Sequence, residues 1–195
     1  MKVIIGAKGT KQNGWLSLER SDLDIRDRHM WARLFQPESL DAVLTEHVLE
    51  HLTPRDADRA ARNVYEFLRP GCYWRIAVPD ANNPSRWYQL CSRPGSLLHL
   101  VANVLYTPGE PFHQVFYEHY SLTSLLATAG FVPRLLEWHD DRGTFYRKKW
   151  SPVDGEVRRS FGHPYVTNGQ GLGGVHNLSL IIDAIKPLDS FEGVE

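Results

Sequence analysis

Cysteine is almost missing from this sequence. Cys72 and Cys91 are the two in 195 residues, too few for a disulfide framework or a cysteine-built zinc site. No apolar run is long enough to cross a membrane, and no signal-peptide pattern opens the chain, so a soluble, cytoplasmic protein without membrane contacts is expected. Neither sign of charge dominates. A formal net charge of −1 provides no broad field for nucleic acid, and the basic run Arg147-Lys148-Lys149 reads as a solvated loop. The patterns G-x-G-x-x-G and the lysine–serine phosphate loop are both absent, so the usual signatures of dinucleotide and nucleoside-triphosphate binding are missing. There is no internal repeat, low-complexity stretch or sign of a second domain. Hydrophobic residues make up 42% and charged residues 23%, an ordinary globular composition for one domain spanning 1–195.

What is present is organised around residues 40–80. LDAVLT, from Leu40, is a short branched apolar run of strand length. Thr53 suits an N-cap, Pro54 the first helical position and Asp56 the first turn. Ala57, Ala60, Ala61, Val64, Tyr65 and Leu68 then recur on one helical face. Pro70-Gly71 should stop that helix, and Tyr73 to Val78 should form a second strand. This strand ends at Pro79-Asp80, on the edge where open α/β sheets bind ligands. A strand–helix–strand unit of this kind requires a right-handed crossover and a larger parallel sheet around it.

The rest of the chain supplies that sheet. Lys2 to Ile5 is an apolar strand running into Gly6-Ala7-Lys8-Gly9-Thr10, a loop whose glycines let backbone approach a ligand or simply turn the chain. Trp15 to Leu18 is a second strand closing at Glu19; a carboxylate there can take both hydroxyls of a ribose, but by itself it reads as an exposed charge at a strand end. Leu23-Asp24-Ile25 looks like a very short third strand, so helices after the first two strands are missing or cut to loops. Arg28 to Phe35 is a short helix. Residues 85–120 are rich in aromatics and are expected to form a lid or substrate wall. Ser121 should cap a helix from Leu122 to Ala129, followed by strands at Val132–Trp138 and Leu178–Ile185. The long connection at 139–177 reads as a hairpin or functional flap, and the tail from Pro187 as frayed.

Two motifs carry chemistry. His47-Val48-Leu49-Glu50-His51 spells H-x-x-E-H, an inverted zinc-peptidase pattern whose histidines would share a metal if they lay on one helix. Here Thr53-Pro54 starts the helix only afterwards, so no metal is expected and zinc hydrolysis is a distant alternative. Asp80, His113, Tyr117 and His119 are the candidate acids and bases beside the expected pocket. The spacing of His113 and Tyr117 would place them on one helical face.

The order of elements resembles class I S-adenosylmethionine-dependent methyltransferases, and individual motifs come closer still. IIGAKGTKQNGWLSLE is similar to the first motif of a small methyltransferase-like family. SLDAVLTEHVLEHL resembles its fourth strand, FLRPGCYWRIAVPD its fifth, and AGFVPRLLEW and LSLIIDAIKP its last two. The resemblance implies an α/β Rossmann-like sheet of order 3-2-1-4-5-7-6, with the last strand antiparallel and the N-terminal side trimmed. It implies S-adenosylmethionine as cofactor and S-adenosylhomocysteine as product. Gly6, Ala7, Lys8 and Gly9 would face the methionine part, Glu19 the ribose hydroxyls, and Asp24 and Ile25 the adenine. Glu46 and His47 would lie at the methionine end or the substrate. Two positions depart from the pattern: Lys8 stands where a small residue is usual, and Cys72 replaces the second glycine of Pro-Gly-Gly.

Methyl transfer is an in-line displacement at a carbon activated by sulfonium, so proximity and orientation are the protein's main task. A base is needed only when the acceptor carries its proton. His113, with Tyr117 and Asp80, is the expected catalytic group. The acceptor is expected to be a small molecule of secondary-metabolite or carbohydrate type, with apolar surface against the aromatic lid. Trimming exposes a sheet edge that a second copy could cover, which suggests a homodimer. The alternative is a protein that keeps this fold and cofactor but runs another reaction, such as a cyclisation, or serves as a binding partner.

Overall fold

The structure is a computed structural model that describes residues 1–106, 112–168 and 178–188. The Pro108-Gly109 turn, the end of the flap at 169–177 and the tail beyond 188 lie outside the described residues.

Seven strands form one sheet: β1 (Lys2–Ile5), β2 (Trp15–Leu18), β3 (Leu40–Glu46), β4 (Leu68–Pro79), β5 (Val132–His139), β6 (Phe145–Arg147) and β7 (Ser179–Ile185). Their order is β2-β1-β3-β4-β7-β5-β6. β1 is parallel to β2 and β3, and β3 to β4, whereas β7 runs antiparallel to both of its neighbours. The first six strands of that order reproduce the expected arrangement without its third strand. Leu23-Asp24-Ile25 is not a strand: Leu23 N–H turns back onto the Glu19 carbonyl, and Asp27 N–H onto that of Asp24. Two successive turns leave no extended backbone to pair with β2, which therefore ends the sheet. The seventh strand, β6, comes from the flap, through a tight turn in which Asp140 and Thr144 close the β5–β6 hairpin.

The central unit forms largely as its residues dictate. Helix α2 (Pro54–Phe67) starts under a Thr53 cap whose hydroxyl accepts from Asp56 N–H. It buries Ala57, Ala60, Ala61, Val64 and Phe67. It stops earlier than expected and passes straight into β4, so Pro70 and Gly71 lie inside a strand. A residue before proline avoids the helical region, and Gly71 takes φ +76° at the register shift opposite β3. Helix α1 (Arg28–Leu34) is capped by Asp27. Helices α3 (Arg86–Ser92) and α4 (Leu97–Tyr106) pack on each other and make up the described part of the aromatic insertion. Helix α5 (His119–Thr128) begins three residues before the expected start. Ser121 is therefore not the cap but the third residue of the first turn, where its hydroxyl accepts from Glu118 N–H. A single short turn, α6 (Pro164–Thr167), lies in the flap.

The two faces of the sheet are covered differently. One face holds the larger core, where Val3, Ile5, Val43, Trp74 and Ile76 meet Trp31 of α1, Ala60, Val64 and Phe67 of α2, and Leu122 and Leu126 of α5. Alternation along the strands sends Ile4, Leu44, Ala77 and Ile181 to the opposite face, where they meet Val157, Trp15 and Trp150. A doubly wound sheet normally has helices on both faces. Here the flap covers the second face in their place, and the β1–β2 connection carries no helix. Among the described residues no helix is long and apolar enough to cross a membrane.

Candidate functional site

Because β1, β2 and β3 are parallel, their C-terminal ends reach the same edge, and the chain leaves each of them at a residue of chemical interest. β1 runs into Gly6. The N–H groups of Gly6 and Ala7 both donate to the Leu18 carbonyl, at 2.9 and 3.3 Å, which folds the glycine loop over the end of β2. β2 runs into Glu19, whose carboxylate accepts Gly9 N–H at 2.9 Å and Lys8 N–H at 3.2 Å. β3 runs through Glu46 into His47, a non-glycine residue at φ +57°, its N–H held at 2.8 Å by the Ala77 carbonyl. Lys8, at φ +46°, is also left-handed. Such conformations cost about 1–3 kcal/mol and persist where the surroundings over-determine them.

Between these ends lies a cleft of about 450 Å³. Its walls include Ile5, Gly6 and Lys8 from the first loop, Glu19 from the second, and Leu23, Asp24 and Ile25 from the turns that follow. His47, Val48, His51 and Leu52 close it from beyond β3. Of the residues named from sequence, Gly6, Lys8, Glu19, Asp24, Ile25 and His47 are thus brought together. Gly9 supports Glu19 through its backbone. Ala7 and Glu46 do not line this cleft. With Arg158 and Arg159 they line a smaller adjoining cavity of about 70 Å³, which shares Gly6, Lys8 and His47 with the cleft. Glu46 receives the N–H groups of Arg158 and Arg159 at 3.3 and 3.1 Å, so it holds the flap rather than facing the cleft.

Gly6 is needed on two counts. It adopts φ +68°, and a Cβ there would lie 2.7 Å from the Val48 Cγ2 methyl. Gly6→Ala is expected to lower stability by about 2 kcal/mol, from left-handed strain and overpacking together. Urea unfolding checks this. Gly6→Ala/Val48→Ala should recover the steric share and leave the strain; equal midpoints for the two variants would contradict the close approach.

The second half of the site differs from its expected form. Residues 112–118 are not helical, so His113 and Tyr117 do not share a helical face. The N–H groups of Gln114 and Val115 both donate to the Glu50 carbonyl, at 2.6 and 3.1 Å. Tyr117 instead pairs with Asp80 in an isolated parallel bridge. Asp80 is fully buried. Its carboxylate accepts His139 N–H and Nδ1, each at 2.8 Å, and Asn82 N–H at 3.0 Å. Asp80 thus clamps the ends of β4 and β5 and lines neither cavity. Burial pushes the Tyr117 phenol above its usual range. His119 is buried against the Tyr120 ring at 4.0 Å.

Glu50 and its surroundings come from the H-x-x-E-H stretch. Leu49–His51 forms one 3₁₀ turn, with His47 outside it, so the two histidines of the motif are not on one α-helix. Glu50 is fully buried, and burial pushes its carboxyl up to about 8. His47 Nδ1 lies 2.8 Å from Glu50 Oε1. The same ring meets Ser179 Oγ at 2.9 Å and Arg159 Nη1 at 2.9 Å. Burial, with the nearby Arg159 charge, holds His47 well below the usual histidine range. His113 stacks edge-on against His51, ring centroids 5.0 Å apart, and its Nδ1 lies 2.8 Å from the Ser92 carbonyl. Burial lowers it to about 4. Sequence reasoning noticed Glu50 and His51 but not that His113 would join them. It had no signal for Arg159 and Ser179, which reach His47 from 112 and 132 residues away.

No protein-family model matches the chain, and no curated protein matches it. Solved structures do. A methyltransferase dependent on S-adenosylmethionine from Methanosarcina mazei aligns over 96% of this chain and 92% of its own, with 14% identity and a TM-score of 0.51. A second such enzyme, from Thermotoga maritima and described as a possible histamine N-methyltransferase, aligns over 95% and 81%, with 14% identity and a TM-score of 0.50. The YcgJ protein of Bacillus subtilis aligns over 95% and 91%, with 12% identity and a TM-score of 0.50. Identity at this level speaks to architecture rather than activity. Strand order, antiparallel β7 and these alignments together give the chain the class I S-adenosylmethionine-dependent methyltransferase fold.

Proposed function

We propose that the chain binds S-adenosylmethionine in the 450 Å³ cleft and transfers its methyl group to a small-molecule acceptor. One observation carries this reading: the glycine loop, Glu19, the Asp24–Ile25 turn and His47, far apart in sequence, converge on one cleft at the C-terminal edge of a parallel sheet. The chemistry of the lining suits the ligand. Each Glu19 oxygen accepts one backbone N–H, and a carboxylate oxygen has a second lone pair for a ribose hydroxyl. Leu23 and Ile25 offer apolar walls for a base. Asp24 is held below the usual carboxylate range by its hydrogen bonds with Arg26, so it shapes this rim as an ion pair.

Bound S-adenosylmethionine supplies an electrophilic methyl group. The residues of the chain hold the two reactants in line and exclude water. The Asp80 carboxylate is occupied in clamping β4 to β5, and His113 stands beside the cleft wall, against His51. The lid presents Trp87, Leu90, Leu97 and Val104 as exposed apolar side chains on α3 and α4, which supports an acceptor with apolar surface.

Calorimetric titration with S-adenosylmethionine and S-adenosylhomocysteine tests the reading. Micromolar binding is expected, weakened roughly 10–100-fold by Glu19→Ala, the worth of charge-assisted hydrogen bonds. No heat with either ligand would overturn it and favour a fold retained for a non-methylating role.

A further inference from the structure

Behind the cleft wall at His51 lies a cluster of side chains that methyl transfer does not need. Glu50, His51 and His113 each offer one ligand atom, and these atoms lie within 4.8 Å of one another. We propose that these three side chains form a binding site for one divalent transition-metal ion of borderline softness, such as Zn²⁺ or Co²⁺, open towards the cleft.

Four observations lead to this site. Glu50 is fully buried, and neither of its carboxylate oxygens receives a hydrogen bond of acceptable geometry, despite the close approach of His47. Such burial is costly to the ionised carboxylate, the form that a bound cation would stabilise. His113 is oriented as metal-bound imidazoles are. Its Nδ1 faces the Ser92 carbonyl at 2.8 Å, so Nδ1 carries the proton and Nε2 keeps its lone pair. The cluster is also pre-assembled by backbone. The Glu50 carbonyl holds Gln114 and Val115, which docks the His113 segment onto the turn bearing Glu50 and His51. Lastly, His51 lines the cleft, so the free coordination positions would face the acceptor.

Two imidazoles and one carboxylate are a donor set for Zn²⁺, Co²⁺ or Fe²⁺ rather than for Mg²⁺ or Ca²⁺, which prefer oxygen alone. Bonds of about 2.1 Å would place ligand atoms roughly 3.4 Å apart, and the three atoms now lie within 4.8 Å of one another. His99 backs the site, its ring 4.6 Å from that of His113. This site does not need the cofactor reading. Its role in turnover does rest on that reading. A metal held by Glu50, His51 and His113 would bind an acceptor hydroxyl through oxygen and lower its pKa, so that its proton would pass to solvent. The O–C bond forms as the C–S bond breaks, and that bond's electron pair remains on sulfur in the thioether product. The acceptor class is therefore a metal-chelating alcohol, enol or phenol.

The test uses full-length protein dialysed against chelator, without S-adenosylmethionine. Co²⁺ is titrated by visible absorption and Zn²⁺ by calorimetry. One equivalent of each should bind with micromolar or tighter Kd. His113→Ala and Glu50→Gln should each weaken binding at least ~100-fold, since even outer partners of a metal cost 10–100-fold. His163→Ala, at the separate His163–Glu156 pair on the flap, should change nothing. Circular dichroism confirms that the variants fold, and S-adenosylmethionine titration of the same samples keeps cofactor failure apart from metal failure. Absence of stoichiometric binding below about 1 mM metal, or binding indifferent to both ligand variants, would overturn the site.

Discussion

Arg75→Met is expected to lower stability by about 3–5 kcal/mol, the cost of breaking a buried ion pair from one side. Arg75 and Asp183 are both about 2% exposed, and Nε and Nη2 meet the two carboxylate oxygens at 2.7 and 2.9 Å. The guanidinium also reaches the flap. Nη1 donates to the carbonyls of Asp154 and Gly155 at 2.8 Å each, and the group stacks over Trp150 at 4.6 Å. The methionine variant leaves Asp183 with only the half-exposed Arg134 and removes the anchor of the flap. At roughly 2–4 °C per kcal/mol for a chain of this size, the thermal midpoint should fall by about 10 °C. Limited proteolysis should cut between 139 and 168 first. Arg75→Met/Asp183→Leu should be more stable than the single variant, because no lone charge stays buried. A double variant as weak as the single one would mean that the flap contacts, not the ion pair, carry the effect.

Trp31→Ala should cost about 3–5 kcal/mol, the range for removing a large buried aromatic, and should also reach the cleft. Trp31 is fully buried and stacks on Phe67 with centroids 5.4 Å apart. Its Nε1 donates to the Ile25 carbonyl at 3.0 Å, where Asn63 Nδ2 also donates at 2.9 Å. These bonds fix the turn that forms the cleft rim, where no third strand exists to do so. Denaturant unfolding reads the first effect, and S-adenosylmethionine titration the second, as a several-fold loss of affinity. Trp31→Phe should retain most of the packing and lose the hydrogen bond. Full affinity in Trp31→Ala would show that the rim holds without α1.

The core of the unit at 40–80 was legible because its signals are local. A cap, a first-turn proline and an apolar stripe each act within one helical turn, and Thr53, Pro54 and Ala57 to Phe67 behave accordingly. Glu19 and Gly6 were pointed to by the motif resemblance, since by themselves a charge at a strand end and a glycine turn read equally as surface features. Boundaries that depend on competition were not. Leu23–Ile25 has strand-like residues, but turns at both ends prevail over them. The helix expected around His113 and Tyr117 yields to the Glu50 carbonyl and the Asp80 bridge.

The sequence by itself determined the class of fold, the parallel half of the sheet and the loop-and-acid edge of the cleft. In these places hydrophobic period, glycine and caps act over a few residues, and no distant partner is required. Tertiary structure alone decided that the flap, not helices, covers the second face. It turned Glu46 towards the flap and brought Glu50, His51 and His113 within reach of one another. Each of those outcomes depends on groups dozens of residues apart, and their meeting is set by how the sheet and its crossovers close rather than by any local pattern.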